Sequence, residues 1–281
     1  MLIVYVDDFK LAAKSEAHDA MWASIRQVID MDPETLDGRF LGCSHERFTT
    51  TAGRVSDILD SHPGYHPRPK QGGVALASKE EADPTAEIAK LYDPKRKVEV
   101  VSYNMERFAK DCVTAFCELS GYPKAKVGTA PTPFLDESKD PVVIFDEPPA
   151  TGNNGKKNKR PKSPVASKEE QAHGKLSTIA CKCLMNIMYI ARFARPDLLR
   201  AVGVFTTMIT KWDELCDRKL YRIIKYMNGT AAWRQIGFIG DSPDELELGL
   251  FSDADFAGDR EAMRSTTGVF LALYGPHSFL P

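Results

Sequence analysis

Apolar and polar residues alternate or recur with three distinct periods along this chain. Leu2 to Val6 is a continuous apolar run of β-branched and aromatic residues, a strand pattern. From Lys10 to Asp30 the period becomes helical, with Trp22, Ile25, Val28 and Ile29 on one side. Arg39 to Cys43, RFLGC, reads as a short strand with Gly42 marking a bend. Tyr103 to Ser120 is a clear amphipathic helix, with Met105, Phe108, Cys112, Phe116 and Leu119 spaced by three or four. Gly121 and Pro123 stop it. Lys175 to Thr230 is predicted to be helical in three stripes: Leu176 to Ala191, Leu198 to Ile209, and Leu220 to Met227. Pro196 breaks the first from the second. Near the end the period falls to two. Leu246, Leu248 and Leu250 alternate with Glu247, Gly249 and Phe251, and Val269 to Tyr274 is a further strand.

Between these elements lie two stretches with no periodicity. Residues 61–97 are turn-rich, then polar, and read as an irregular insertion. Residues 136–173 contain EPPATGNNGKKNKRPKSP, a composition that buries too little apolar surface to offset chain entropy, so a disordered linker is expected. Its KKNKRPK run holds five cations between Lys156 and Lys162. Such a run either touches nucleic-acid phosphate, acts as a nuclear address or forms a solvated loop. GNNGKK has glycines too close together for a phosphate-cradling loop, and no Ser or Thr follows its lysines.

Composition narrows this picture only modestly. The 281 residues suffice for one large or two ordinary domains, and the formal charge of −2 gives no global sign of a polyanionic or membrane partner. Residues 174–230 carry ten Lys or Arg against four Asp or Glu, a local balance of +6 that suits a nucleic-acid backbone or a plain solvated bundle. Six cysteines without a zinc-ligand spacing point to buried thiols in a reducing compartment. The N-terminal apolar run is too short for a signal peptide, and no 18-residue apolar stretch is present, so an intracellular chain without membrane contact is expected.

The residues with the sharpest chemistry are Asp7 and Asp8, directly behind the first strand pattern. They either end that strand or hold a metal where a hairpin turns. Neighbouring carboxylates converge only where the backbone bends. Near the other end, SDADFAGD places Asp253 and Asp255 on one face of a strand.

Several separated stretches together resemble one family. YVDDF (5–9), FLG (40–42), TAPTPFL (129–135), MYIARFARPDLLRAV (188–202), RIIKYMNGT (222–230), FSDADFAGD (251–259) and RSTTG (264–268) resemble, in order, the polyprotein of copia-type LTR retrotransposons. The matching part runs from the middle of the reverse transcriptase into the start of ribonuclease H, with Ala194 where that family usually has Thr.

The resemblance implies an α+β chain. A palm remnant occupies 1–60, with the 10–30 helix on a small sheet containing 2–6 and 39–43. A thumb-like helix lies in 98–135, a helical connection region in 174–240, and the first strands of a ribonuclease H-like domain in 246–281. It implies two magnesium ions on Asp7 and Asp8, the former bridging, and a further metal ligand at Asp253. Tyr5, Val6, Phe40, Leu41 and Gly42 would lie along the template-primer. RNA or DNA and deoxynucleotides would be the partners. The fingers, the first palm carboxylate and most ribonuclease H acids would lie outside the chain, so an inactive fragment of an RNA-directed DNA polymerase is expected. A non-catalytic nucleic-acid-binding module and an inert helical remnant are the alternatives.

Overall fold

The computed structural model describes residues 1–35, 38–61, 91–134, 174–254 and 267–281. The expected disordered linker at 136–173 and most of the insertion at 61–97 lie outside the described residues. The chain divides into two compact units. One joins Met1–Tyr103 to Gln235–Pro281, and the other is Asn104–Arg234.

The first unit begins with a hairpin of β1 (Leu2–Tyr5) and β2 (Asp8–Leu11), a two-stranded sheet of its own with Leu2 opposite Leu11 and Tyr5 opposite Asp8. The helix read from Lys10 therefore starts later, as α1 (Ser15–Arg26). Lys10 and Leu11 pair with Ile3 and Leu2, and the cross-strand ladder overrides the helical spacing that continues into them. The RFLGC stretch is likewise two strands. β3 (Arg39–Phe40) turns through Leu41 and Gly42 into β4 (Cys43–Thr51), with Phe40 opposite Cys43. Both turn residues have positive φ, +51° and +77°, the pairing that a two-residue turn of the primed type requires. β1 and β3 belong to different sheets, which corrects the expectation of one small sheet containing 2–6 and 39–43.

Thr51 then starts α2 (Ala52–Asp60), its hydroxyl accepting from the Arg54 amide. β5 (Lys97–Asn104) follows within the stretch expected to be thumb-like. Its burial alternates strictly, Val98 and Val100 inside and Lys97 and Glu99 outside, and that two-residue period makes it a strand. Tyr103, expected in the helix, pairs with Gln235 of β6 (Gln235–Ile239). The C-terminal strands are β7 (Glu247–Ala254), β8 (Thr267–Gly275) and β9 (Ser278–Leu280). The seven-stranded sheet runs β3-β4-β5-β6-β9-β8-β7, so β7 is an edge.

The register assigns the faces of this sheet. Val98, Val100, Ile236, Phe238, Phe279, Tyr274, Ala272 and Phe270 share one face. Ala52, Val55 and Leu59 of α2 cover its Val98–Phe238 end. Full burial of each such aliphatic side chain is worth about 1.5–3 kcal/mol.

The second unit is helical: α3 (Glu106–Ser120), α4 (Ser177–Phe193), α5 (Leu199–Thr206) and α6 (Glu214–Gly229). α3 buries Ala109, Cys112, Val113 and Phe116 and stops at Gly121, whose φ of +71° is the left-handed cap glycine favours. Leu184, Ile187, Leu198, Leu220, Ile223, Ile224 and Met227 are fully enclosed. Asp213 caps α6 by accepting from the Cys216 amide at 2.7 Å. Asp217 accepts from the amides of Lys175 (2.6 Å) and Leu176 (3.1 Å) and from the Trp212 indole (2.7 Å), which pins the start of α4 to the start of α6. Gly174 fits there because a Cβ would lie 2.4 Å from the Asp213 carbonyl oxygen.

Candidate functional site

Asp7 and Asp8 do stand at a hairpin, but not side by side at its tip. Asp8 opens β2 and pairs with Tyr5, so the two-residue turn is Val6-Asp7. Val6 takes φ +56°, a conformation costly for a β-branched residue, and is 85% exposed. Among the described residues no three His, Cys, Asp or Glu side chains come together in a way that could hold a metal ion. Among the described residues, Asp7 and Asp8 are joined by no third such side chain in a metal-holding group. Asp253 is exposed in β7, opposite Gly268, in the other sheet, and Asp255 lies outside the described residues. The structure does bring the first hairpin to the FLG turn. Lys10 of β2 sits 5.6 Å from the centre of the Phe40 ring and 3.5 Å from His45 Nε2. Leu41 and Gly42 are turn residues there.

Two other polar clusters are better built, and the motif reading did not anticipate their roles. In the helical unit the Arg195 side chain is almost fully buried. Its Nε donates to Asp197 Oδ1 at 2.9 Å and one terminal nitrogen donates to Asp197 Oδ2 at 2.7 Å. The same guanidinium donates to the Thr230 carbonyl and to the Thr230 hydroxyl, both at 2.8 Å. Tyr226 donates to Asp197 Oδ2 at 2.7 Å, and burial followed by this bond raises the Tyr226 pKa. The Tyr226 and Trp233 rings lie 5.5 and 5.6 Å from the guanidinium carbon. The ARPD and NGT stretches thus meet each other, and their hydrogen-bonding capacity is largely consumed internally. TAPTPF behaves similarly: Thr132 accepts from Arg222, and Gly128, the residue before the motif, accepts from Asn228 of α6.

In the sheet unit, Asp241 and His277 form the second cluster. His277 Nδ1 lies 2.7 Å from Asp241 Oδ1, and the His277 amide donates to Oδ2 at 2.7 Å. Ser278 Oγ accepts from the amides of Gly240 and Asp241 at 3.0 and 3.1 Å. Burial raises the Asp241 pKa, but the bonds from Ser278 and His277 outweigh it and the net direction is down. An aspartate, a histidine and a serine in contact have the composition of a nucleophilic triad. Here His277 Nε2 already accepts the Asp93 amide at 2.7 Å, Tyr92 stacks on the ring, and Ser278 bonds the backbone. The imidazole has no free nitrogen with which to take a proton from a nucleophile. The cluster is a structural lock. Its only sequence signal was a pair of Gly- and Pro-flanked polar turns, Gly240-Asp241 and Pro276-His277-Ser278, far apart in the chain.

With this geometry in place, the chain can be set beside known proteins. The chain is 35% identical over 89 residues to Secreted RxLR effector protein 161 of Plasmopara viticola, across 32% of this chain and 61% of that protein. The chain thus spans less than two thirds of the relative's length. No protein-family model matches, and no solved structure matches.

These findings correct three expectations. The relative is named a secreted effector, which overturns both the retrotransposon-polyprotein resemblance and the polymerase and ribonuclease H function drawn from it. The nucleic-acid-binding alternative gains no support. The expectation of an intracellular chain is overturned by the same name, which points to secretion. The physical reason the motifs misled is local. Paired acids behind an apolar run, a Leu-Gly turn and an Arg-Pro-Asp corner are each accounted for by hairpin geometry or a buried ion pair in this fold.

Proposed function

We propose that this chain is a secreted effector-type protein that acts by binding a protein partner rather than by catalysis. The observation that carries the reading is the 35% identity to a protein named as a secreted effector. The tetrapeptide in that name, Arg-x-Leu-Arg, does not occur in the 281 residues; Arg39-Phe40-Leu41-Gly42 departs from it only in its last residue. Two features of the chain agree with a binding role, and a third with a place outside the cell. The two buried polar clusters spend their chemistry on internal bonds. Val4, Tyr5 and Val6 hold an apolar hairpin edge in solvent. Five of the six cysteines are buried as free thiols, which guards them against oxidation outside a reducing compartment. The test is location. An antibody to the KKNKRPK segment should find the chain outside the cells that make it. Retention inside them, with an extracellular marker exported normally, contradicts the reading.

A further inference from the structure

The outer face of the seven-stranded sheet changes character along its width. At β5 it carries Lys97 and Glu99, both exposed, as the solvent face of an antiparallel sheet should. The register places Leu248 and Leu250 of β7 and Val269, Leu271 and Leu273 of β8 on that same side, because Leu248 pairs with Leu273 and Leu250 with Leu271. Leu248, Leu250, Val269 and Leu271 are 69%, 67%, 65% and 53% exposed. The side that carries Lys97 and Glu99 at the start of β5 is aliphatic at β7 and β8. Leu280 extends it, lying over Gly237, where a Cβ would come 2.4 Å from Leu280 Cδ2.

We infer that this aliphatic face packs against the same face of a second copy of the chain. Two observations favour a second copy as the occupant. The first is charge. A twofold contact sets a surface against itself, so any charge near its axis meets its own like. The outer positions of β7 and β8 are Leu248, Leu250, Ser252, Thr267, Val269, Leu271 and Leu273, with no charged residue among them. The opposite face of the same strands sets Glu247 and Asp253 beside the exposed Phe251 and Phe270, so a twofold contact there would bring like charges together. The second is area. Four aliphatic side chains this exposed present on the order of 400 Å² of apolar surface, at the level of the largest patch on an ordinary monomer. A standard interface removes roughly 800 Å² per partner, of which little more than half is apolar. The face therefore supplies about the apolar area that one half of a stable dimer needs. Two such hairpins would stack as sheets about 10 Å apart with interleaved leucines.

Sedimentation velocity of the full chain from about 1 to 100 µM tests this. The wild type should show the mass of two chains. Leu250→Lys and Leu250→Glu should each weaken self-association by at least about 100-fold, through like charges forced together in a dry contact. An equimolar mixture of the two variants should recover the dimer. Val269→Glu, at another exposed position, should behave as Leu250→Glu does, and circular dichroism matched to the wild type verifies that each variant folds. A wild type that stays monomeric over the whole range overturns the inference, whether the face is then covered by another segment of the chain or by a different protein. So does a dimer that folded Leu250→Lys leaves intact.

Discussion

His277 Nδ1 and Asp241 Oδ1 lie 2.7 Å apart, and the other imidazole nitrogen of His277 receives the backbone N–H of Asp93 at the same distance. This fixes the tautomer: Nδ1 carries the proton and Nε2 offers its lone pair. A residue of the turn before β9 thereby holds the segment that leads into β5, a contact across 184 positions of sequence. Arg96 adds a second tie by donating to the Gly240 carbonyl at 2.8 Å.

Replacing Asp241 by Asn should therefore destabilise the sheet unit by about 2–3 kcal/mol, because every group facing that carboxylate is a donor and an amide would set one donor against another. Urea denaturation followed by Trp fluorescence would report it as a lower midpoint. His277→Ala should cost about 1–3 kcal/mol by leaving the Asp93 amide unpaired. Amide exchange at Asp93 would quicken in that variant while α6 stays protected.

The direction of the Asp241 shift sets a pH dependence. A carboxyl whose pKa is lower folded than unfolded adds stability above its unfolded value, ordinarily 3.8 for Asp, and that stability is lost as pH falls through the folded value. Stability measured from pH 6 downward should thus fall in acid below about pH 4. Asp241→Asn should be less stable near neutrality and should lose less on acidification. Parallel curves for the two proteins would contradict this assignment.

Arg195 is the corresponding keystone of the helical unit. Lysine there keeps the charge but cannot reach Asp197 and both Thr230 oxygens together. Arg195→Lys should cost about 3 kcal/mol, as breaking a buried ion pair does. Tyr226→Phe removes only one bond to Asp197 and should cost about 1 kcal/mol. Equal effects in thermal unfolding would contradict the network as described.

The thiols offer a separate check. Burial pushes Cys112 up to about 12 and Cys183 and Cys216 up to about 11, and it also raises Cys117. Cys181 is the exposed one. A thiol-exchange reagent at pH 8 should modify one cysteine rapidly in the native protein and all six in guanidinium. Cys181→Ser should remove the fast phase. A fast phase that survives this change would show that the buried thiols are accessible.

Elements with strong, uninterrupted periodicity were legible in the sequence. Glu106–Ser120, Ser177–Phe193, Glu214–Gly229 and the strands of β7 and β8 lie where the pattern placed them, and Pro196 and Gly121 end their helices as expected. A hairpin at the paired aspartates was expected, but the return strands of the first two hairpins were not legible. Asp8–Leu11 and Cys43–Thr51 are set by pairing with preceding strands, and their two-residue turns use Val6 and Leu41 at positive φ, residues that carry no turn signal. β9 has three residues, and both it and β5 are held by partners distant in sequence. The polar clusters were illegible for the same reason, since Asp93, Asp241 and His277 meet only once the sheet has formed. The motif resemblance read local shapes that hairpin turns and a buried Arg-Asp pair also produce.

Val6 allows a direct test of the hairpin. A glycine at φ +56° carries no Cβ penalty. Val6→Gly should stabilise the β1–β2 pairing by about 1 kcal/mol, read as stronger cross-strand contacts between Val4 and Phe9 in nuclear magnetic resonance spectra. Weaker contacts would mean that Val6 is held by something other than the turn.

The central claim, that the chain is a secreted effector-type protein, is tested most directly by quantitative mass spectrometry of paired cellular and extracellular fractions. Peptides should be followed from both compact units, for instance from Glu106–Ser120 and from Thr267–Gly275. The account predicts both peptides enriched outside the cell relative to a resident intracellular marker. Both peptides confined to the cellular fraction, while known exported proteins appear outside, would contradict it.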